Sequence, residues 1–149
     1  MSKKKERALG RAIVGLQRLA DDFAERRDQL AAEAGLTPGQ WRVLEEISTE
    51  AFMPSLFARR RAQSPAAVSK TLRQLAEAGL VEASIGEVDA RRRRYALTAR
   101  GRRVLARVRR SRERAIAAVW GDIPLPDLER FADFSESLGR RLEVYADAR

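Results

Sequence analysis

Four consecutive arginines, Arg91, Arg92, Arg93 and Arg94, follow Asp89 by two residues. Guanidinium groups stay protonated in proteins and present planar forks of donors, so such a run is chemistry for phosphate or another anion. A second set lies upstream at helical spacing. Behind Ser64 and Pro65, the side chains Ala66, Lys70, Arg73, Gln74 and Glu77 share one helical face, opposite Val68, Leu72, Leu75 and Ala76. The small Ala66 and Ala67 admit close approach and apolar contact with thymine methyls. Ser69 and the first-turn amides suit phosphate. Lys70, Arg73 and Gln74 have the reach and geometry for base edges, Arg for guanine and Gln for adenine.

Other chemistries lack their residues. The 149 residues include no cysteine and no histidine, which removes thiol nucleophiles, disulfides, the commonest metal ligand and the commonest general base. No carboxylate spacing suggests a metal site or an acid–base pair, so no catalytic residue, metal or cofactor is expected. The net charge of +9 is uneven: residues 52–114 carry +12, residues 1–51 carry 0 and residues 115–149 carry −3. A basic middle between near-neutral ends suits a polyanion-binding face on a scaffold. No apolar run reaches about 18 residues, and the basic start has no apolar stretch behind it, so neither a membrane span nor a signal peptide is expected. A cytoplasmic location follows as an expectation.

The elements that must position these groups are mostly helices. Leu9, Ile13, Leu16, Leu19, Phe23 and Leu30 form an amphipathic stripe over 6–33, stopped near Gly35. Thr37, Pro38 and Gln40 form a capping box with proline at the first helical position, and Leu36 with Trp41 forms a hydrophobic staple. Pro54 opens a short helix over 55–62. Ser64-Pro65 opens another, ending at Gly79. The period then changes: 80–85 reads as a strand, 86–90 as a turn and 91–97 as a returning basic strand. Thr98 caps a long helix to about Gly121 with Val104, Val108, Ala115 and Val119 on one face. After Pro124-Leu-Pro126, a last helix carries Leu128, Phe131, Phe134, Leu138, Leu142 and Tyr145.

Asp89-Ala-Arg91-Arg-Arg-Arg-Tyr95-Ala-Leu97-Thr98-Ala-Arg-Gly101 resembles the wing signature of the multiple antibiotic resistance regulator (MarR) family. Residues 64–81, with their Gly79-Leu80-Val81 exit, are similar to that family's recognition helix. Two departures stand beside this. Arg61-Ala62-Gln63 replaces the usual apolar-Gly-apolar turn, obliging Arg61 to reach solvent or phosphate, and the Phe52-Met53-Pro54 approach is atypical. The resemblance implies a mostly α (α+β) fold: a winged helix-turn-helix over 36–100 with a two-stranded hairpin, flanked by dimerisation helices at 6–33 and 102–147 of a single 149-residue domain.

It also implies a bacterial regulator of double-stranded DNA. Ser64, Ala66, Ala67, Ser69, Lys70, Arg73 and Gln74 would sit in the major groove. The resemblance puts Arg91 at the wing tip, in the minor groove. Read from the residues, Asp89 and Arg91 could also pair across the turn and hold its shape. Arg92, Arg93 and Arg94 suit phosphates, since four successive arginines on a strand cannot all reach bases. A homodimer joined by terminal helices would read a pseudo-palindrome with half-sites about 34–36 Å apart. The resemblance further implies a repressor released by a small aromatic or phenolic effector. Arg18, Phe23, Trp41, Phe52, Met53 and Phe57 could line its pocket, although aromatics at helical spacing are more often core. The contrasting reading is a sequence-indifferent nucleoid-type or RNA-binding protein using central charge alone.

Overall fold

Caps decide where the helices begin and end. The computed structural model describes residues 1–49, 52–85 and 93–148. Helix α1 (Lys3–Glu33) starts where the Ser2 hydroxyl accepts the Lys5 amide at 3.3 Å. It stops at Gly35, whose left-handed φ of +73° turns the chain so that the Leu36 amide donates to the Ala31 carbonyl at 2.9 Å. Helix α2 (Pro38–Ile47) opens with the expected reciprocal box: the Gln40 amide donates to Thr37 Oγ1 at 3.1 Å, and the Thr37 amide to Gln40 Oε1 at 2.9 Å. Leu36 and Trp41 are both buried beside this box, as a staple requires.

Helix α3 (Pro54–Arg60) is one residue earlier at its start and two shorter at its end than the sequence suggests. Helix α4 (Pro65–Glu77) is capped by Ser64, whose hydroxyl accepts the Ala67 amide at 3.1 Å, and closes at Gly79 with φ +70°. Strands β1 (Val81–Ile85) and β2 (Arg93–Leu97) pair antiparallel, with Val81 opposite Leu97 and Ile85 opposite Arg93. Helix α5 (Ala99–Trp120) follows, then α6 (Leu125–Asp147). The last helix begins three residues before Leu128: Pro126 lies inside its first turn, where a missing N–H costs nothing.

The chain divides into two units, Met1–Arg112 and Glu113–Arg149. In the first, one apolar cluster gathers the end of α1, α2, α3, α4, the start of β1 and α5 around Leu44, Phe57, Leu75 and Leu105. The buried side of α5 is Gly101, Leu105 and Val108. The stripe expected from sequence shares only Val108 with it; Val104 is half-buried and Val119, in the second unit, is exposed. Ala76 is exposed rather than inward. In the second unit, Trp120 packs against Phe131 at 6.1 Å between ring centres. No helix among the described residues is long and apolar enough to cross a membrane.

Candidate nucleic-acid interface

Helix α4 shows the outward row expected of it. Val68, Leu72 and Leu75 are buried, and this fixes the helix's rotation so that Ser64, Ala66, Ala67, Ser69, Lys70, Arg73 and Gln74 are all exposed. Ser64 is engaged as the cap, so its hydroxyl serves the helix end first. Gln74 accepts a hydrogen bond from Gln40 Nε2 at 3.4 Å, which ties the row to the first turn of α2 and leaves the Gln74 amide nitrogen as the outward donor.

The hairpin supplies the second element. Tyr95 and Leu97 face inward and pack on the core, while Arg94 and Ala96 on the other face are exposed; Arg93, at the outer end, is exposed as well. Asp89, Arg91 and Arg92 lie outside the described residues. The strand is held by an aromatic chain that includes Phe52 and Phe57, two residues whose sequence positions suit either a ligand pocket or the core. Phe52 meets Tyr95 edge-on at 5.9 Å and Phe57 at 5.7 Å, connecting β2 to the buried side of α3.

Helix α4, the hairpin and α5 meet at one tight junction. Thr98 Oγ1 donates to the Gly79 carbonyl at 2.6 Å and accepts the Gly101 amide at 3.0 Å, while the Thr98 amide donates to the Leu80 carbonyl at 3.1 Å. A Cβ on Gly101 would lie 2.0 Å from the Leu80 carbonyl oxygen. Only glycine permits this approach, which gives the Gly79-Leu80-Val81 and Leu97-Thr98-x-x-Gly101 motifs one shared physical purpose.

Ion pairs brace the elements behind. Glu45 on α2 accepts the Trp41 indole N–H at 3.1 Å and Arg109 Nη2 at 2.5 Å; Arg109 also donates to Ser48 Oγ at 2.9 Å. Burial pushes the Glu45 carboxyl up, but the hydrogen bonds from Arg109 and Trp41 and the charges of Arg109 and Arg112 outweigh it, holding the pKa below the ordinary carboxylate value. Glu46 takes Arg60 at 3.2 Å and Arg61 at 3.9 Å. Arg61, which sequence reading directed to solvent or phosphate, is therefore also paired within the protein. Arg59, exposed at the end of α3, is a further cation near the turn into α4 that sequence reading passed over.

The effector residues expected from sequence behave differently from one another. Trp41 and Phe57 are in the apolar core, Phe57 only 1% exposed, and Phe52 supports the wing strand. Their burial follows from the cluster they complete. Phe23 and Met53 are exposed, and Arg18 lies on the open surface of α1, 3.8 Å from Asp22.

A MarR family model matches residues 34–92, the span from the end of α1 through the first strand to the arginine run. No curated protein sequence matches the chain significantly. Among solved structures, a MarR family transcription regulator superposes with a TM-score of 0.86 at 20% identity, covering 98% of this chain and 97% of that one. A MepR variant from S. aureus bound to an oligodeoxyribonucleotide gives 0.64 at 16% identity, covering 87% and 96%. Staphylococcus aureus MarR in complex with salicylate and kanamycin gives 0.72 at 17% identity, covering 94% and 93%.

Proposed function

We propose that the chain is a winged-helix transcription regulator of the MarR family and that it reads a specific operator in double-stranded DNA as a homodimer. The observation that carries this reading is the exposed row from Ser64 to Gln74 on α4, joined through the Gly79–Gly101 junction to a basic strand. A major groove about 12 Å wide admits one helix, and α4 offers its capped N-terminal turn first. Lys70, Arg73 and Gln74 then read base edges. Arg93 and Arg94 neutralise phosphates, and Arg91 is assigned to the minor groove. The MepR–oligodeoxyribonucleotide complex among the structural neighbours supports a DNA partner.

The homodimer is supported by α1. Leu9, Ile13, Leu16, Leu19 and Phe23 are each between 46% and 52% exposed in the single chain, an apolar line that a second copy would cover. The span 36–100 acts as the DNA-binding lobe, with 6–33 and 102–147 as dimerisation helices. The protein works in the cytoplasm, as a repressor released by a small aromatic ligand. Salicylate in the S. aureus MarR complex supports that ligand class, and Phe23, Met53 and Arg18 are the exposed members of the expected set.

A gel-shift competition on the DNA flanking its own coding region tests the reading. Specific complexes should survive about a 10³-fold excess of random duplex. Equal displacement by random duplex or by RNA would leave only a sequence-indifferent binder. Addition of salicylate should release the specific complex; an unchanged shift at saturating salicylate would remove that effector.

A further inference from the structure

A line of arginines on α5 takes no part in the operator contacts above. Arg100, Arg103, Arg107 and Arg110 recur at steps of three, four and three residues, which puts them on one side of the helix over about 15 Å. All four are exposed, and with the half-buried Val104 and Ala106 they line a concavity of about 400 Å³. Arg109, on another side of the same helix, is neutralised by Glu45. Among the described residues, by contrast, no carboxylate pairs with any of these four. Like charges at these steps repel, so the row is built to hold an anion supplied from outside.

Its placement separates it from the groove-facing turn of α4. Arg100 Nη1 lies 4.0 Å from where a Cβ on Gly79 would stand, so the row begins at the C-terminal end of α4, opposite Ser64. Four guanidinium forks exceed what one carboxylate can engage, and together they match two or three linked phosphates. Val104 and Ala106 add an apolar floor, and the volume is within the range of small-molecule sites. We propose that this groove binds an organic polyphosphate of nucleotide type, with its phosphates on Arg100, Arg103, Arg107 and Arg110 and its flat apolar part on Val104 and Ala106.

Groove and operator surface are separable by mutation, so failure of one leaves the other standing. Calorimetric titration of the full chain with ATP in magnesium-free buffer, and with inorganic tripolyphosphate, reads the binding directly. Both should bind saturably at one site per chain, ATP more tightly. Arg103→Ala with Arg107→Ala should weaken each by about ten-fold or more, while Arg73→Ala with Arg94→Ala leaves both unchanged. Arg103→Lys with Arg107→Lys keeps the charge without the forks and should recover only part of the affinity, with circular dichroism showing an unaltered fold. Absence of saturable heat at millimolar ATP overturns the site, as does equal weakening by the Arg73 and Arg94 pair. So does tripolyphosphate binding that is indifferent to the Arg103 and Arg107 pair while their loss lowers the salt slope of DNA binding by about 1.8, since the groove would then be a contact to duplex backbone.

Discussion

Ala62 occupies left-handed backbone with φ +50°, between the end of α3 and the cap of α4, where its amide and that of Gln63 close the α3 terminus. A Cβ makes that region costly, and glycine at this turn relieves the cost less the entropy it adds to the unfolded chain. Ala62→Gly should therefore stabilise the fold by about 0.5–1 kcal/mol, read as a higher urea midpoint with an unchanged slope. Glu45 gives a pH prediction. Its pKa is depressed in the folded state, so its contribution is present above the unfolded carboxylate range and is lost as pH falls through the lower folded value. Arg109→Gln removes the chief donor, raises that folded pKa and moves the acid loss to higher pH. Trp41 fluorescence in a Trp120→Phe background should report the transition, because the Trp41 indole donates to Glu45. An unmoved transition would show that Arg109 does not set the Glu45 charge. The turn at Ala62 was legible from its place between two helix signals. The Glu45–Arg109 pair was not, because 64 residues separate the partners.

Among the elements, the junction of α4, the hairpin and α5 is the least tolerant. Gly101→Ala would push a methyl into the Leu80 carbonyl and force α5 away from the exit of α4, costing about 3 kcal/mol, measured by urea unfolding. A loss below about 0.5 kcal/mol would mean that the two backbones part easily. On the outer strand, Arg94→Ala should leave stability unchanged, since the side chain is exposed, and lower the salt slope of DNA binding by about 0.9 if it meets one phosphate. An unchanged slope would exclude that contact. Strand β2 was readable because Tyr95 and Leu97 alternate with Arg94 and Ala96, a period of two that no helix produces. The Phe52 support beneath it was not readable. An aromatic before a short helix carries no sign of which distant strand it will meet.

For the whole molecule, the apolar line on α1 is the feature with the largest consequence. If the proposed homodimer is joined through this line, Leu16→Glu combined with Phe23→Glu should yield a monomer in sedimentation velocity at micromolar concentration where the unaltered chain is a dimer, without loss of helix content. Operator affinity should fall by about 10²-fold, because two half-sites would no longer be engaged by one linked pair of lobes. Persistence of the dimer would place the interface elsewhere. The amphipathic period of α1 was evident from its residues alone, as was that of α6, but a period says only that a face wants covering.

Local order was thus decided by nearest neighbours along the chain. Caps such as Thr37 with Gln40, stops such as Gly35 and Gly79, and the switch from helical to alternating period act over a few residues, and they determine the order of elements without tertiary contacts. Which side of α5 turns inward, the burial of Phe57 and Trp41, the anchoring of Arg61 on Glu46 and the fit of Gly101 against Leu80 depended on surfaces brought together from far apart. Packing selects among several locally acceptable faces by excluding water from only one of them, and that selection exists only in three dimensions.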